Sequence, residues 1–309
     1  MNLKINYTYA VIIPHYNDIL RLKRLLKSIP IRNDIQIIIV DDYSDSYNDL
    51  IILCNYFEHS IQLTRTKKNS GAGVARNIGL SFVKSRYVLF ADSDDEFTNH
   101  AFEIYDNLIN DECDLIYTLA EGIQERSGLP SVRANDLNEY CTKYLETKDK
   151  KDLDILKINH CVPWAKIYKY SFLQQTRINH SESFVSNDIY FNVVNAVLAS
   201  CVKVSKEYTY RVYRLQDSLT STTTPERFIE RVYVSAQLAT KLKDLGYERA
   251  ISGTGFILAS IGLGPKTFIK IFRIVIHSDM KLEFKRIFNI KRWLVFIQRY
   301  IIFNKEKNN

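Results

Sequence analysis

The chain has 309 residues, 46% hydrophobic and 12% aromatic, which is ample for one sizeable core and a second subdomain. It contains no apolar run of about eighteen residues, so no membrane-spanning helix is expected, and its start, MNLKINYTYAVIIP, has polar residues where a secretory signal needs an apolar core. The net charge of +7 is unevenly spread: eleven Lys/Arg and three Asp/Glu lie from Lys266 onward, so that tail carries +8 and the preceding 265 residues −1.

In chain order, residues 8–13 (TYAVII) read as a buried strand ending at Pro14. Residues 17–29 place Ile19, Leu22, Leu25, Leu26 and Ile29 at helical spacing, with Asn17 or Asp18 as N-cap. IQIIIV (35–40) is a second buried strand, ending at Asp41-Asp42; a helix over 46–58 and a short strand over 60–66 follow. Residues 73–85 read as a helix, 86–91 (RYVLFA) as a strand, 98–110 as a helix and 114–120 as a strand. Short, continuously apolar strands alternating with amphipathic helices predict a mostly parallel α/β sheet, whose ligands bind at the carboxyl ends of the strands. Pro14, Asp41-Asp42 and Asp92–Asp95 all fall at such ends.

Beyond 121 the pattern loosens. Residues 121–140 read as an irregular connection, 188–199 as a helix, 208–215 (YTYRVYRL) as a strand, the Ser/Thr-rich 217–226 as a boundary loop and 225–246 as a helix. Cys54, Cys113, Cys141, Cys161 and Cys201 form no CxxC pair, so neither a zinc knuckle nor a disulfide framework is expected; they read as small buried hydrophobes.

Two segments carry chemistry. In RYVLFADSDDEF (86–97) four acids follow a buried strand within five positions; Asp92, Asp94 and Asp95 offer the hard oxygen ligands that Mg²⁺ or Mn²⁺ take together with phosphate oxygens. The alternative is that they end a strand and cap the next helix. In NSGAGVARNIG (69–79) two glycines open a helix, but arginine at 76 stands where a dinucleotide fingerprint has its third glycine. The better reading is that the glycines admit a ligand close to the backbone and that Arg76 holds a fixed positive fork there.

The motifs VIIPHYND, IIIVDDYSD, NSGAGVARNIGL and YVLFADSDDEF, in this order over about 90 residues, resemble family 2 glycosyltransferases of the GT-A fold. PWAKIYKYSFL, from Pro163, is similar to the W-x-K-x-Y segment of bacterial polysaccharide-building members, and the likeness fades after about residue 215. The resemblance implies a GT-A fold (Rossmann-like, mostly parallel sheet flanked by helices): a nucleotide-sugar-binding half over 1–120, an acceptor-binding half over 121–220, and a helical, basic, membrane-associating extension over 221–309. It implies that Pro14, Tyr16, Asp42, Asn69, Arg76, Asp92 and Ser93 line the nucleotide site, with Asp42 reading the uracil ring. Asp92 and Asp94 would hold Mn²⁺ or Mg²⁺. In place of the family's usual E-D pair stands Asn187-Asp188, which makes Asp188 the candidate catalytic base. Asp188 also suits the N-cap of helix 188–199. Trp164 and Asn187 are candidates for the acceptor side, Trp164 being equally readable as core.

The implied activity is that of an inverting hexosyltransferase moving a sugar from UDP-galactose, UDP-glucose or an N-acetyl form to a saccharide in surface-polysaccharide assembly. The expected acceptor is linked to a polyprenyl diphosphate. The rivals are a non-catalytic sugar-nucleotide-binding subunit, and a nucleotidyltransferase, which would carry a glycine-rich loop after the first strand. In the tail, 266–303, aromatics and aliphatics interleave with cations, and Phe284, Ile287, Phe288, Trp293, Phe296, Ile297 and Tyr300 share one helical face. Such a segment fits an anionic membrane surface, or packing on the main domain; it is too aliphatic for nucleic acid. The expected location is cytoplasmic, peripheral on the inner face of the membrane.

Overall fold

A computed structural model describes residues 6–109, 112–214, 224–248 and 250–283. Strand β1 (Tyr7–His15) leads into helix α1 (Ile19–Ser28), β2 (Ile35–Asp41), α2 (Tyr47–Tyr56), β3 (Ser60–Arg65), α3 (Ala72–Leu80) and β4 (Ser85–Phe90). Then come β5 (Glu96–Phe97), α4 (Ala101–Leu108), β6 (Leu115–Gln124), α5 (Asn135–Thr147), α6 (Lys150–Asn159), β7 (Lys166–Lys169), α7 (Tyr170–Thr176), α8 (Ile189–Leu198) and β8 (Val202–Arg214). Helices α9 (Pro225–Asp244), α10 (Thr254–Ser260) and α11 (Pro265–Ile276) complete the described chain.

The sheet order is β3-β2-β1-β4-β7-β6-β8-β5. β3, β2, β1 and β4 run parallel; β7 is antiparallel to both β4 and β6, β8 is parallel to β6, and β5 is antiparallel to β8. Successive residues of β1 serve opposite layers. Tyr9, Val11 and Ile13 pack with Leu22, Leu25 and Leu26 of α1, while Ala10 and Ile12 pack with Ala75 of α3 and Phe191 of α8. Both faces are covered, which is why β1 and β2 read as unbroken apolar runs. Pro14 is tolerated in this central strand because it lies past Ile12, the last β1 residue in register with β4.

Three expectations change. Residues 121–140 are not an irregular connection: β6 runs on to Gln124, paired with β8 to Arg214, and α5 starts at Asn135. The strand expected at 208 starts at Val202, and the helix expected to reach 85 ends at Leu80. The boundary loop falls largely outside the described residues; at its end the Thr224 hydroxyl accepts from the Arg227 N–H at 3.3 Å and caps α9. α9 packs Leu238 and Leu242 on Val193 and Val194 of α8, and Phe228, Val232 and Ala236 against Ile257, Ile271 and Val275 of α10 and α11. Among the described residues no helix is long and apolar enough to cross a membrane. The aromatic face proposed from Phe284 to Tyr300 lies outside the described residues.

Candidate active site

The end of β2, beside His15 at the end of β1, carries a buried acid pair with divided tasks. Asp41 is fully buried; its carboxylate accepts from His15 Nδ1 at 3.1 Å, from the Ser44 N–H at 3.0 Å and from the Ser44 hydroxyl, and it pairs with Arg65 Nε at 3.1 Å. The Asp18 N–H donates to His15 Nε2 at 3.2 Å. A backbone N–H can only donate, so Nε2 is the acceptor and a neutral ring carries its proton on Nδ1, toward Asp41. Burial pushes the Asp41 carboxyl up, but the His15 and Ser44 hydrogen bonds together outweigh it and leave the pKa lowered.

Asp42 faces the other way. Its carboxylate accepts from the Ser70 N–H at 2.8 Å, the Gly71 N–H at 2.7 Å and the Thr66 hydroxyl at 3.1 Å. It thereby pins the loop after β3, with half-buried Asn69, against the end of β2. Tyr16, beyond buried Pro14, is 46% exposed at the mouth of the same edge.

The loop after β4 gathers Asp92, Asp94 and Asp95, each with a carboxylate oxygen within 4.8 Å of the others. Its backbone is held from several sides. The Asp92 N–H donates to the Tyr210 hydroxyl at 3.0 Å, Asp95 Oδ1 accepts from the Tyr213 N–H at 2.8 Å, and Arg24 Nη2 donates to the Asp94 carbonyl. Burial, then the Asp92 charge, pushes the Asp94 carboxyl up to about 6 against the pull of Arg133. Asp95 is likewise pushed well above the usual carboxylate range, by burial and then by Asp94 and Asp92. Ser93 lies half-buried between them. Tyr210, Tyr213, Arg24 and Arg133 carry no local signal of a site: the two tyrosines stand in the run that reads as a strand, and only the return of β8 beside this loop gives them their task.

Helix α3 joins the two halves of the site. Gly71, at φ +89°, starts it in a conformation other residues rarely adopt, and a Cβ on Gly73 would stand 2.2 Å from the Ser181 carbonyl oxygen. That contact brings the loop before α8 against the helix. Asn77 then clamps the loop, accepting from the His180 N–H at 2.8 Å and donating to its carbonyl at 2.9 Å. Arg76, 5% exposed, donates through Nη2 to Asp92 Oδ1 at 2.6 Å and through Nη1 to Asn187 Oδ1 at 2.9 Å. One guanidinium fork thus ties the acidic loop to the residue before Asp188.

Asp188 occupies the N-cap position of α8, but its side chain makes no capping bond. Its carboxyl is pushed up by burial and by the Asp92 charge, with Arg76 and Lys166 opposing. Two acceptor-side candidates take other positions. Trp164 is 2% exposed and stacks on Tyr210 (centroids 5.6 Å apart, 6° between planes), which makes it core. Asn187 is 9% exposed and its amide oxygen is engaged by Arg76. The proximity of Arg76, 111 positions away in sequence, is what a local reading lacks. Phe184, on the loop before Asp188, is 57% exposed and so does not help to desolvate it.

The donor set fits a hard divalent cation. Three carboxylates converge, two have raised pKa values from burial and crowding, and the buried Asp95 Oδ2 has no hydrogen-bond partner among the described residues. Asp92, Asp94 and Asp95 are the residues that would hold it.

The curled, mostly parallel sheet with helices on both faces and this acid loop at its carboxyl edge are those of the GT-A fold. The structure of Staphylococcus aureus TarS residues 1–349 in complex with UDP-GlcNAc superposes with a TM-score of 0.60 over 96% of this chain and 81% of that one, at 17% identity. The mannosyltransferase PcManGT of Pyrobaculum calidifontis in complex with GDP-Man and Mn²⁺ gives 0.53 over 87% and 74%, at 12% identity. The chain belongs to glycosyl transferase family 2, whose profile matches residues 10–177, more than half its length. A poly(ribitol-phosphate) beta-glucosyltransferase of Bacillus spizizenii is 29% identical over 210 residues, 65% of this chain. The poly(ribitol-phosphate) beta-N-acetylglucosaminyltransferase TarS of Staphylococcus aureus is 21% identical over 303 residues, 96% of this chain. The chain spans 31% of the first relative's length and 45% of TarS, so both relatives are considerably longer.

Proposed function

We propose that this chain is an inverting, metal-dependent glycosyltransferase that moves a hexosyl or N-acetylhexosaminyl group from a UDP-sugar to a hydroxyl of a surface polysaccharide or its lipid-linked precursor. The observation that carries the reading is the Arg76 fork, which joins the acid loop at Asp92 to the segment bearing Asp188. The family membership, and the glucosyl and N-acetylglucosaminyl activities named for its relatives, support the donor class. The poly(ribitol-phosphate) in both relatives' names supports a polyol- or sugar-phosphate polymer as acceptor.

In this reading the loop pinned by Asp42 forms the wall of the uridine pocket, with Tyr16 and Pro14 at its rim and Asn69 and Ser93 alongside. Mn²⁺ or Mg²⁺ on Asp92 and Asp94, with Asp95, would supply charge stabilisation to the departing diphosphate. Arg76 holds Asp92 in place through its Nη2 hydrogen bond. A carboxylate oxygen of Asp188 takes the proton of the attacking hydroxyl; its raised pKa makes it a better base than an exposed aspartate. Attack on the face opposite the leaving group inverts the anomeric carbon.

The test is a donor panel with Mn²⁺, reading nucleoside diphosphate release with and without acceptor. Asp188→Asn is expected to cut transfer to a small residual rate and keep nucleotide binding. Near wild-type transfer by that variant would end the assignment of the base, and an enzyme indifferent to EDTA would end the metal's part. We further propose that the helical region from α9 onward, with the basic segment from Lys266, holds the catalytic unit to an anionic membrane surface where such acceptors are made.

A further inference from the structure

We propose that Tyr168 and Lys166, acting through Asn192, are positioning residues for Asp188; the proposal rests on the reading of Asp188 as the base. Helix α8 is apolar along most of its length (IYFNVVNAVL), yet Asn192, one turn in, is 0% exposed. Its side-chain Nδ2 donates to the Asp188 carbonyl at 2.8 Å, alongside its own backbone N–H at 3.0 Å. Its Oδ1 accepts from the Tyr168 hydroxyl at 2.7 Å and faces Lys166 Nζ at 3.5 Å. Lys166, 1% exposed, also donates to the His160 carbonyl at 2.5 Å and lies over the Tyr117 ring at 5.2 Å. An ammonium, a phenol and an amide are costly to bury singly, and a satisfied network of them rigidifies what it touches. The backbone atom they converge on is the Asp188 carbonyl. Arg76 fixes Asn187 on the other side, so the base is held from behind and beside. Tyr168 and Lys166 belong to the W-x-K-x-Y segment, whose polar members otherwise have no task.

Helix α8 contains its own control. Asn195 repeats the geometry one residue group further on: Nδ2 donates to the Phe191 carbonyl at 2.9 Å and Oδ1 accepts from the Thr176 hydroxyl at 2.6 Å. Asn195 supports the same helix but not the Asp188 carbonyl. The test compares Asn192→Leu, Tyr168→Phe and Asn195→Leu in the wild-type and Asp188→Asn backgrounds, reading kcat, donor KM, UDP affinity and Tm. Asn192→Leu and Tyr168→Phe are expected to lower kcat about tenfold with donor KM and UDP affinity within about twofold. Asn195→Leu should lower Tm to a similar degree with kcat unchanged. In the Asp188→Asn background Asn192→Leu should take nothing further from residual transfer, as for groups that act as one unit. Parallel kcat losses for the two asparagine variants, or additive losses in the double variant, would overturn the proposal. If Asn192→Leu fails to fold, Tyr168→Phe, which removes one atom, decides it. An active Asp188→Asn would sink the reading of the base; an inactive one beside a fully active Asn192→Leu sinks only this proposal.

A separate observation concerns two thiols. We infer that Cys113 and Cys201 form a redox-closable pair: their Sγ atoms lie 3.1 Å apart across 88 residues of chain. Their backbones are already tied, the Asp114 and Leu115 N–H groups donating to the Cys201 carbonyl at 3.0 and 3.3 Å, and Asp114 Oδ2 accepting from the Ser200 and Cys201 N–H groups at 2.8 and 3.1 Å. The pair sits where β6 and β8 begin, at the opposite end of those strands from the acid loop. With a small-molecule disulfide such as oxidised glutathione, the two thiols lose two protons and two electrons, one S–S bond forms, and the oxidant leaves as two thiols. After such treatment the denatured protein should titrate two fewer thiols than its five cysteines. Its mass should be lower by two hydrogens and its Tm higher, with none of these changes in Cys201→Ser. A glutathione adduct without the mass loss, or no loss of thiols, would overturn the inference.

Discussion

Arg76 shows how much a single side chain carries here. It reaches Asp92 with one nitrogen and Asn187 with the other, and no lysine can do both from one point charge. Hydrogen bonds to charged groups contribute about 1.5–3 kcal/mol each, so Arg76→Lys is expected to lower kcat/KM by roughly 10- to 100-fold. Steady-state rates check this, and a near wild-type value would remove Arg76 from the site. Lys166 makes a prediction of another kind. Burial, first of all, pushes its ammonium down to about 7 from the ordinary lysine range. Between that value and the unfolded pKa the unfolded chain binds the extra proton, so the stability of the wild type rises with pH through this window. Below about 7 both states are charged and the cost of burying the charge is fully present. Relative to Lys166→Met, the wild type should gain about 2 kcal/mol in urea unfolding between pH 7 and 9, since other titrations cancel in the difference. A pH-independent difference would mean that Lys166 is solvated in the folded chain.

At the level of elements, α3 and the loop before α8 form one working part. Ala at position 73 favours a helix by up to about 1 kcal/mol, but its Cβ meets backbone, the Ser181 carbonyl, which must move. Gly73→Ala is therefore expected to cost at least about tenfold in kcat by displacing Asn187 and Asp188. Unchanged kcat with a raised Tm would show that the loop yields without consequence. The parallel half of the sheet was legible from sequence because each strand is a local, fully apolar run ended by a polar motif. The second half was not. The end of β6, Glu121–Gln124, is polar and half-exposed, and what makes it a strand is pairing with Arg211–Arg214, about 90 residues away. Helix α5 does space Leu137, Tyr140, Cys141 and Tyr144 along one face, but only Cys141 is fully buried and two of the four are tyrosines, so the stripe is faint among its polar neighbours. At the site, the acids of the strand ends could be named in advance. The partners that hold them, Tyr210, Tyr213, Arg24 and Asn192, come from distant strands and helices, and no local pattern marks them.

For the whole molecule the charge division has a mechanical consequence. The first 265 residues are nearly neutral, and the cations of α11 sit on the side of that helix turned from its buried Thr267, Ile271 and Val275. Beside Lys266, Lys270 and Arg273 runs a stripe of Ile269, Phe272 and Ile276, which are 50%, 43% and 45% exposed. The helix itself contains no acid to oppose them. Near anionic lipid each cation contributes about 1 kcal/mol, so these three alone are worth roughly 100-fold in partition, and the apolar stripe adds burial at the acyl boundary. The chain is therefore expected to sediment with vesicles containing phosphatidylglycerol, weakly with neutral vesicles, and less as salt rises past physiological strength. Ile269→Ser with Phe272→Ser should release it even at low salt while leaving transfer to a soluble acceptor intact. Equal binding to neutral and anionic vesicles, or binding indifferent to both substitutions, would mean that this face does not meet the membrane.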